Sequence, residues 1–528
     1  MSGGGSANGY VIERSLRFSA ASSQYLTRTL SSNFGGQIAT FSFWVKRGAL
    51  GVRQVIFGAS NGSTTAFGIE FNSADQLDFF DYFTTYQARK VTSRVFRDPS
   101  ALYHIECTVN TPSANASSRF TVKINGILET TFSSSIDPSQ NLVTTLSLFN
   151  TFNIGREAGT ASGLLDGYLA EINVTENTTS SFGEINTSTG QWVAKKYTGT
   201  YGTNGFYLDF KDGTSTTTLG YDKSGNNNHW TLTNFTRSAG VNDCWMLDVP
   251  AGNGSASAVQ PSGNYAVLNP LDAGVGTNIT LSNANLNYAQ GATNGAVRAT
   301  IGMLTGKWYW EATVTATNPM IGISNSLATT QNYPGSDANG WAYYGLDGTK
   351  YTNGTSIAYG AAYTTSDVIG VAFDADNGTL TFYKNNVSQG TAFTGLTSGA
   401  YFPAIGRGNG SPSASLNFGQ RSFTYTPPAG FKALCTANLT STDVIESGSF
   451  TGNANAIGPF IWCNGTPETL TINGNAVTWG THADKLSNGF KLRTSSSSYN
   501  SSGTNTWTAT ILSPESKSAF KHQNAKGN

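Results

Sequence analysis

The sequence predicts an all-β protein: two jelly-roll-like β-sandwich domains followed by a small β-rich C-terminal segment. Three observations carry this. Only 12% of the 528 residues are charged, about half the roughly 25% usual for soluble proteins. Gly numbers 60 and Pro 15, while aromatic residues reach 12%. Short alternating runs of apolar and polar residues, separated by Gly, Asn and Ser, fill the chain. So much apolar and aromatic content excludes disorder. Too little proline and periodic glycine exclude collagen, and too little Ala, Glu, Lys and Leu excludes helix bundles.

The elements follow in order. Residues 1–11 read as an N-terminal arm, and Met1 to Ser6 lack the basic and apolar halves of a secretory signal. Residues 12–250 read as the first sandwich. Leu16 and Phe18 alternate with Arg17; Phe67, Ile69 and Phe71 keep the same period. Phe41, Phe43 and Val45 alternate with Ser42 and Trp44, so that strand is expected to be covered on both faces. Phe120, Val122 and Ile124 run into Asn125-Gly126, the strongest short hairpin signal, because both turn positions need positive φ. Tyr168, Ala170, Ile172 and Val174 form another strand. Residues 180–250 read as an extra strand pair laid on this sandwich.

Residues 251–263 are Gly/Ser-rich and read as a linker. A second sandwich is expected at 264–425, where Val368 to Asp374 is a buried strand, Ala375 to Gly378 a tight turn and Thr379 to Asn386 its hairpin partner. Pro427-Pro428 closes it. Residues 434–528 hold further strands, such as Thr469 to Ile472 before the turn Asn473-Gly474.

These residues carry three resemblances. Ser15-Leu16-Arg17-Phe18, Phe41 to Lys46, Leu102 to Ile105, Phe120 to Gly126 and Leu165 to Ile172, taken in order, resemble a laminin-G or concanavalin-like sandwich over roughly 12–178. Gly306 to Glu311, Ile321 to Ser324, Tyr344 to Gly348, Val368 to Asn386, Tyr401 to Ala404 and Leu416 to Gly419 resemble a SPRY/B30.2 domain. Residues 195–245 with Asn264 to Leu271 are similar to stretches of tail-fibre-like proteins of marine and cyanobacterial bacteriophages. The last resemblance implies a virion component, made in the host cytoplasm and placed on the phage tail or particle surface.

The chemistry points to binding. The net charge is zero, so no basic stripe meets nucleic acid, and no apolar run reaches membrane length. The four cysteines, Cys107, Cys244, Cys435 and Cys463, lack metal or redox spacing and read as buried thiols. Glu106, Glu171 and Glu311 sit singly on predicted strands, without the clustered carboxylates that glycosidases with this sandwich need. His104, His229, His482 and His522 lie far apart. Asp374 to Gly378 opens like a calcium loop but lacks its closing Glu, so it reads as a turn. Asp222 to Asn228 reads either as a structural calcium loop or as a set of Asx turns, the second being preferred; no cofactor is expected.

Trp341, Tyr343, Tyr344, Tyr351, Tyr359 and Tyr363 crowd a turn-rich stretch of the second sandwich. Sugar recognition uses flat aromatic faces with amide and hydroxyl partners. Trp341, Tyr351 and Tyr359 are therefore the candidate ligand-binding residues for host surface glycan, with Tyr344 assigned to the core. The expected function is host recognition by a homotrimeric, tail-fibre-like chain that is no enzyme and docks to other tail or adaptor proteins through its arm. The alternatives are a capsule or cell-wall polysaccharide depolymerase and a purely architectural head or tail decoration protein.

Overall fold

The computed structural model describes residues 10–186, 191–250, 259–439 and 444–512. It is 47% strand and 4% helix, so the fold class read from composition holds. The chain divides into two compact units, one built on residues 10–238 and 242–250 and the other on residues 259–512. The expected linker falls mostly on residues 251–258, outside the described residues, as do residues 1–9 of the arm and the terminal 513–528.

The first unit packs two eight-stranded antiparallel sheets face to face. One runs Ile127–Leu128, Phe120–Ile124, Leu102–Asn110, Ile38–Arg47, Gly167–Glu176, Ser15–Phe18 and Trp245–Met246, with Phe206–Leu208 joined to Gly167–Glu176. The other runs Phe132–Ile136, Thr85–Val95, Gln76–Phe83, Thr65–Phe71, Gln54–Ser60, Thr151–Ile154, Tyr25–Thr29 and Thr231–Thr233. Phe41, Phe43, Val45, Phe67, Ile69, Phe71, Phe79 and Phe120 fill the space between them. The Phe79 and Phe120 rings stack across the two sheets with centroids 3.7 Å apart.

Strand Ile38–Arg47 is buried on both faces, as its pattern required. Trp44 leaves the main core and packs with Ile12, Leu102, Ala170, Ala194 and Val249. Lys46 points the same way and meets Asp248 at 2.8 Å with both side chains fully buried. The hairpin Phe120–Ile124/Ile127–Leu128 turns on Asn125 (φ 49°) and Gly126 (φ 77°), the mirror-image turn that Asn-Gly favours.

After residue 180 the chain forms an antiparallel pair, Gly183–Asn186 with Gln191–Ala194, and adds three further short strands to the sandwich. Strand Phe206–Leu208 pairs with Gly167–Glu176, Trp245–Met246 with Ser15–Phe18, and Thr231–Thr233 with Tyr25–Thr29, so both sheets are extended. Each added strand is two or three residues long, too short to show an alternation in sequence.

In the second unit a seven-stranded sheet runs Leu268–Ala273, Ala296–Ala299, Tyr401–Arg407, Pro319–Asn325, Gly340–Tyr344, Thr349–Thr352 and Thr355–Ala358. It faces an eight-stranded sheet with Lys307–Ala316, Val368–Asp374 and Thr379–Lys384 at its centre. Past Pro427-Pro428 the chain still returns to this sheet, where Lys432–Ala433 lies parallel to Trp308 and Tyr309. The C-terminal strands form two small sheets around Phe450, Ile461, Leu470, Ile472, Phe490 and Trp507. They join the sandwich through Phe402, Phe460, Trp462 and Leu486, and Lys491 Nζ donates to Leu271 O at 2.7 Å.

Candidate functional site

The outer face of the second sheet of the first unit presents an aromatic surface. Phe67, Ile69, Phe71, Leu77 and Phe79 point into the core, so the even-numbered side chains of the same two strands face out. Register places Ala66 opposite Tyr82, Gly68 opposite Phe80 and Glu70 opposite Asp78. The next strand brings Arg89 beside Phe80 and Tyr86 beside Tyr82.

An aromatic ledge results. The Phe80 ring lies on Gly68, where a Cβ would approach it to 2.6 Å. Tyr86 meets Phe80 edge-on at 6.0 Å and Tyr82 at 5.1 Å. The Arg89 guanidinium sits 4.1 Å above the Tyr86 ring and is held by Asp78 at 2.6 Å. Tyr86 is 37% exposed. Phe80 is buried beneath the ledge, while Tyr86 is held in place and still open to solvent, beside a guanidinium and hydroxyls able to bond a sugar.

Glu70 and Asp78 are cross-strand neighbours, a relationship that puts Cβ atoms about 5 Å apart. Burial raises both carboxyl groups above their usual range, and the guanidiniums oppose it. Arg53 Nε reaches both Glu70 oxygens at 2.9 Å and Arg53 also meets Glu157 at 2.9 Å; Arg89 grips Asp78 through two nitrogens. Each carboxylate is clamped by its own arginine.

The three sequence-predicted residues do not come together. Trp341 and Tyr343 alternate inward on strand Gly340–Tyr344; Trp341 packs against Tyr401 at 5.4 Å and Tyr343 against Phe382 at 5.3 Å. Tyr359 joins that inner packing, 5.3 Å from Tyr343, and its hydroxyl donates to Gly390 O at 2.5 Å. Burial pushes its hydroxyl up to about 12. Tyr351 lies opposite Ala342, on the other face of the sheet, against Tyr333 and Tyr344. Trp341, Tyr351 and Tyr359 are all partly buried. Tyr344 is buried, but on the outer face with Met320 and Ala342.

The other candidates resolve into hydrogen-bonded structure. Asp222 accepts from the backbone of Tyr207, Ser224 and Asn228 and from the Ser224 hydroxyl. Asp374 accepts from Asn377 and pairs with Lys307 at 3.1 Å. Glu106 pairs with Lys123 at 2.7 Å, and Glu311 accepts from the backbone of Thr424 and Tyr425 at 2.8 Å. His104 accepts from Trp192 Nε1 through Nδ1 at 3.0 Å, so its Nε2 proton faces Ser42; burial drives it down to about 3. The four cysteines are buried without disulfides. Among the described residues no group of three or more His, Cys, Asp or Glu could hold a metal ion.

With this geometry in hand, comparison decides the domain families. A Laminin_G_3 model, described as the concanavalin A-like lectin/glucanases superfamily, matches residues 20–186, and a SPRY domain model matches 307–421. The chain carries a laminin-G-like domain and a SPRY domain. A 106-residue stretch of the chain is 36% identical to Ran-binding protein 10 of Danio rerio and to Ran-binding protein 9 of Homo sapiens. That match covers 20% of this chain and 17% and 14% of those relatives, so the chain spans under a fifth of their length. Among solved structures, the SPRY domain of human HERC1 is 18% identical, covers 27% of this chain and 91% of that one, and has a TM-score of 0.23. The TRIM65 PSpry domain is 17% identical, with coverage of 29% and 89% and a TM-score of 0.25. The aromatic ledge falls within the laminin-G-like domain, outside the stretch that sequence reasoning favoured.

Proposed function

We propose that this chain is a recognition protein that acts by binding: a tail-fibre-like host-recognition component of a bacteriophage virion that holds host surface glycan on the ledge of its laminin-G-like domain. The observation that carries the reading is exposed Tyr86, braced edge-on by Tyr82 and by a buried Phe80 that lies on Gly68, with the Arg89 guanidinium over its ring. Fixed aromatics lose little entropy when a sugar ring settles on them. The phage context rests on the resemblance of residues 195–245 and 264–271, as does assembly into a homotrimer that docks to other tail proteins through its arm. Titration of purified chain with host surface polysaccharide tests the reading. Saturable binding without release of reducing sugar is expected.

A second reading has one observation in its favour. Glu70 and Asp78 face each other across two strands, and a retaining glycosidase works with two carboxylates set close together. Their arginine clamps argue against an acid and a nucleophile there. Reducing-sugar release that Glu70→Gln abolishes would turn the reading to a depolymerase.

A further inference from the structure

The C-terminal part of the second unit contains a strand edge that has no partner among the described residues, set inside a groove. Strand Val444–Thr451 pairs with Thr504–Leu512 through eight consecutive residues without a bulge. Asn473 N donates to Thr506 O, so the even-numbered residues of Thr504–Leu512 turn their backbone toward Thr466–Ile472. The odd-numbered ones turn toward Val444–Thr451, where Trp507 faces Gly448 and Asn505 faces Phe450. Ser447, Ser449 and Thr451 therefore direct their N–H and C=O groups away from the ladder. Val444–Thr451 is the edge of its sheet, and no backbone group among the described residues bonds these outward ones.

Folded proteins usually protect such an edge with Lys, Pro or a bulge. This one offers Ser447-Gly448-Ser449 in regular register. Residues 446–449 line a cleft of ≈ 700 Å³, and residues 450–453 line a second of ≈ 410 Å³. The clefts share Ser326, Leu327 and Ile461, so they form one groove along the strand. Four exposed aliphatic residues, Val275, Leu304, Leu327 and Ile457, line it. Its basic groups are buried and engaged: Arg298 pairs with Asp272 at 2.7 Å, and Lys491 donates to Leu271 O. Glu446, in the larger cleft, and Asp337, in the smaller, are partly exposed.

We propose that this groove captures an extended peptide segment of a partner protein by strand addition to the free edge of Val444–Thr451. The backbone edge sets the chemistry of the occupant. Three residues offering both a donor and an acceptor in one line match an extended peptide of about six residues, roughly 20 Å long. The aliphatic walls call for apolar side chains, and an acidic group in each cleft, Glu446 in the larger and Asp337 in the smaller, calls for a lysine or arginine facing each. A sugar or a flat aromatic ligand would leave most of that ladder unmade. The site is separate from the glycan ledge and stands or falls independently of it.

The test uses the full chain and a fluorescein-labelled peptide of sequence Lys-Val-Thr-Val-Thr-Val-Lys. Two control peptides accompany it, one N-methylated on alternate amides and one with Glu in place of Lys. Anisotropy is expected to show saturable binding of the first and binding weaker by about tenfold or more for both controls. Ser449→Pro removes an outward N–H that makes no ladder bond, so it should weaken binding by about tenfold with unchanged melting. If that variant melts early, Leu327→Asp on the facing wall serves instead. Hydrogen exchange at Ser447, Ser449 and Thr451 should be fast in the free chain and slow with peptide. Equal binding of the N-methylated peptide, or no binding, overturns the proposal. So does protection of these amides without peptide, whether constant or rising with protein concentration, because the edge would then be covered by this chain or by a second copy.

Discussion

The Glu171 carboxylate accepts a hydrogen bond from the Tyr207 hydroxyl at 3.0 Å, at a bulge where the Glu171 backbone itself sits at φ 53°. Tyr10 donates to the same carboxylate and lies 2.6 Å from the Tyr207 hydroxyl. A left-handed backbone costs a non-glycine residue of order 1 kcal/mol or more. Here it turns the side chain into a buried site bounded by two tyrosines.

Burial raises the Glu171 carboxyl to about 7, against the bonds from Tyr10 and Tyr207 and with Asp209 adding repulsion. The fold therefore holds this proton more tightly than the unfolded chain does. Its contribution to stability is complete below the ordinary carboxylate range near 4.5 and is lost as pH rises to about 7. The loss amounts to about 3 kcal/mol. Denaturant titrations between pH 4.5 and 8 should show a steeper fall for the parent chain than for Glu171→Gln, which cannot titrate.

Lys46 and Asp248 form an ion pair with neither side chain exposed. Removing one partner strands a buried charge, so Asp248→Ala should cost about 3–5 kcal/mol. Lys46→Met combined with Asp248→Leu should recover most of that in equilibrium unfolding.

Gly68→Ala should disturb the ledge without dismantling the sandwich. A Cβ there meets the Phe80 ring at 2.6 Å. The ring is the far end of a side chain on an outer face, so it can swing away at a cost of about 1 kcal/mol. Glycan affinity should fall while the melting temperature changes by only a few degrees.

Trp341→Ala should act on stability. The indole packs against buried Tyr401, and its truncation should cost about 3 kcal/mol of folding free energy. Polysaccharide affinity measured well below the melting temperature should stay at the parent value.

These contrasts show what was legible in the sequence. Asn125-Gly126 and Asn473-Gly474 fix their hairpins locally, and both adopt positive φ at both positions. The Phe41-Ser42-Phe43-Trp44 alternation announced a strand covered on two sides, which Trp44 and its neighbours bear out. The short strands at 206–208, 231–233 and 245–246 were not legible, because their partners lie far away in the chain. Aromatic density alone could not separate Trp341 and Tyr359, facing inward, from Tyr351, facing outward. The alternation of Trp341 and Tyr343 with Ala342 and Tyr344 was the available signal. The ledge needs three strands in register, with bulges between Asp81 and Tyr82 and between Gln76 and Asp78. That shift in facing is invisible before the sheet is assembled.

The most direct measurement of the central claim is host-cell adsorption of the purified chain and its Tyr86→Ala variant, read beside their melting temperatures. Tyr86 is a third exposed and supports only its neighbours on the outer face. Glycan binding at the ledge requires unchanged melting and adsorption weakened by about thirtyfold, as for a truncated aromatic hot spot. Unchanged melting with unchanged adsorption would contradict it.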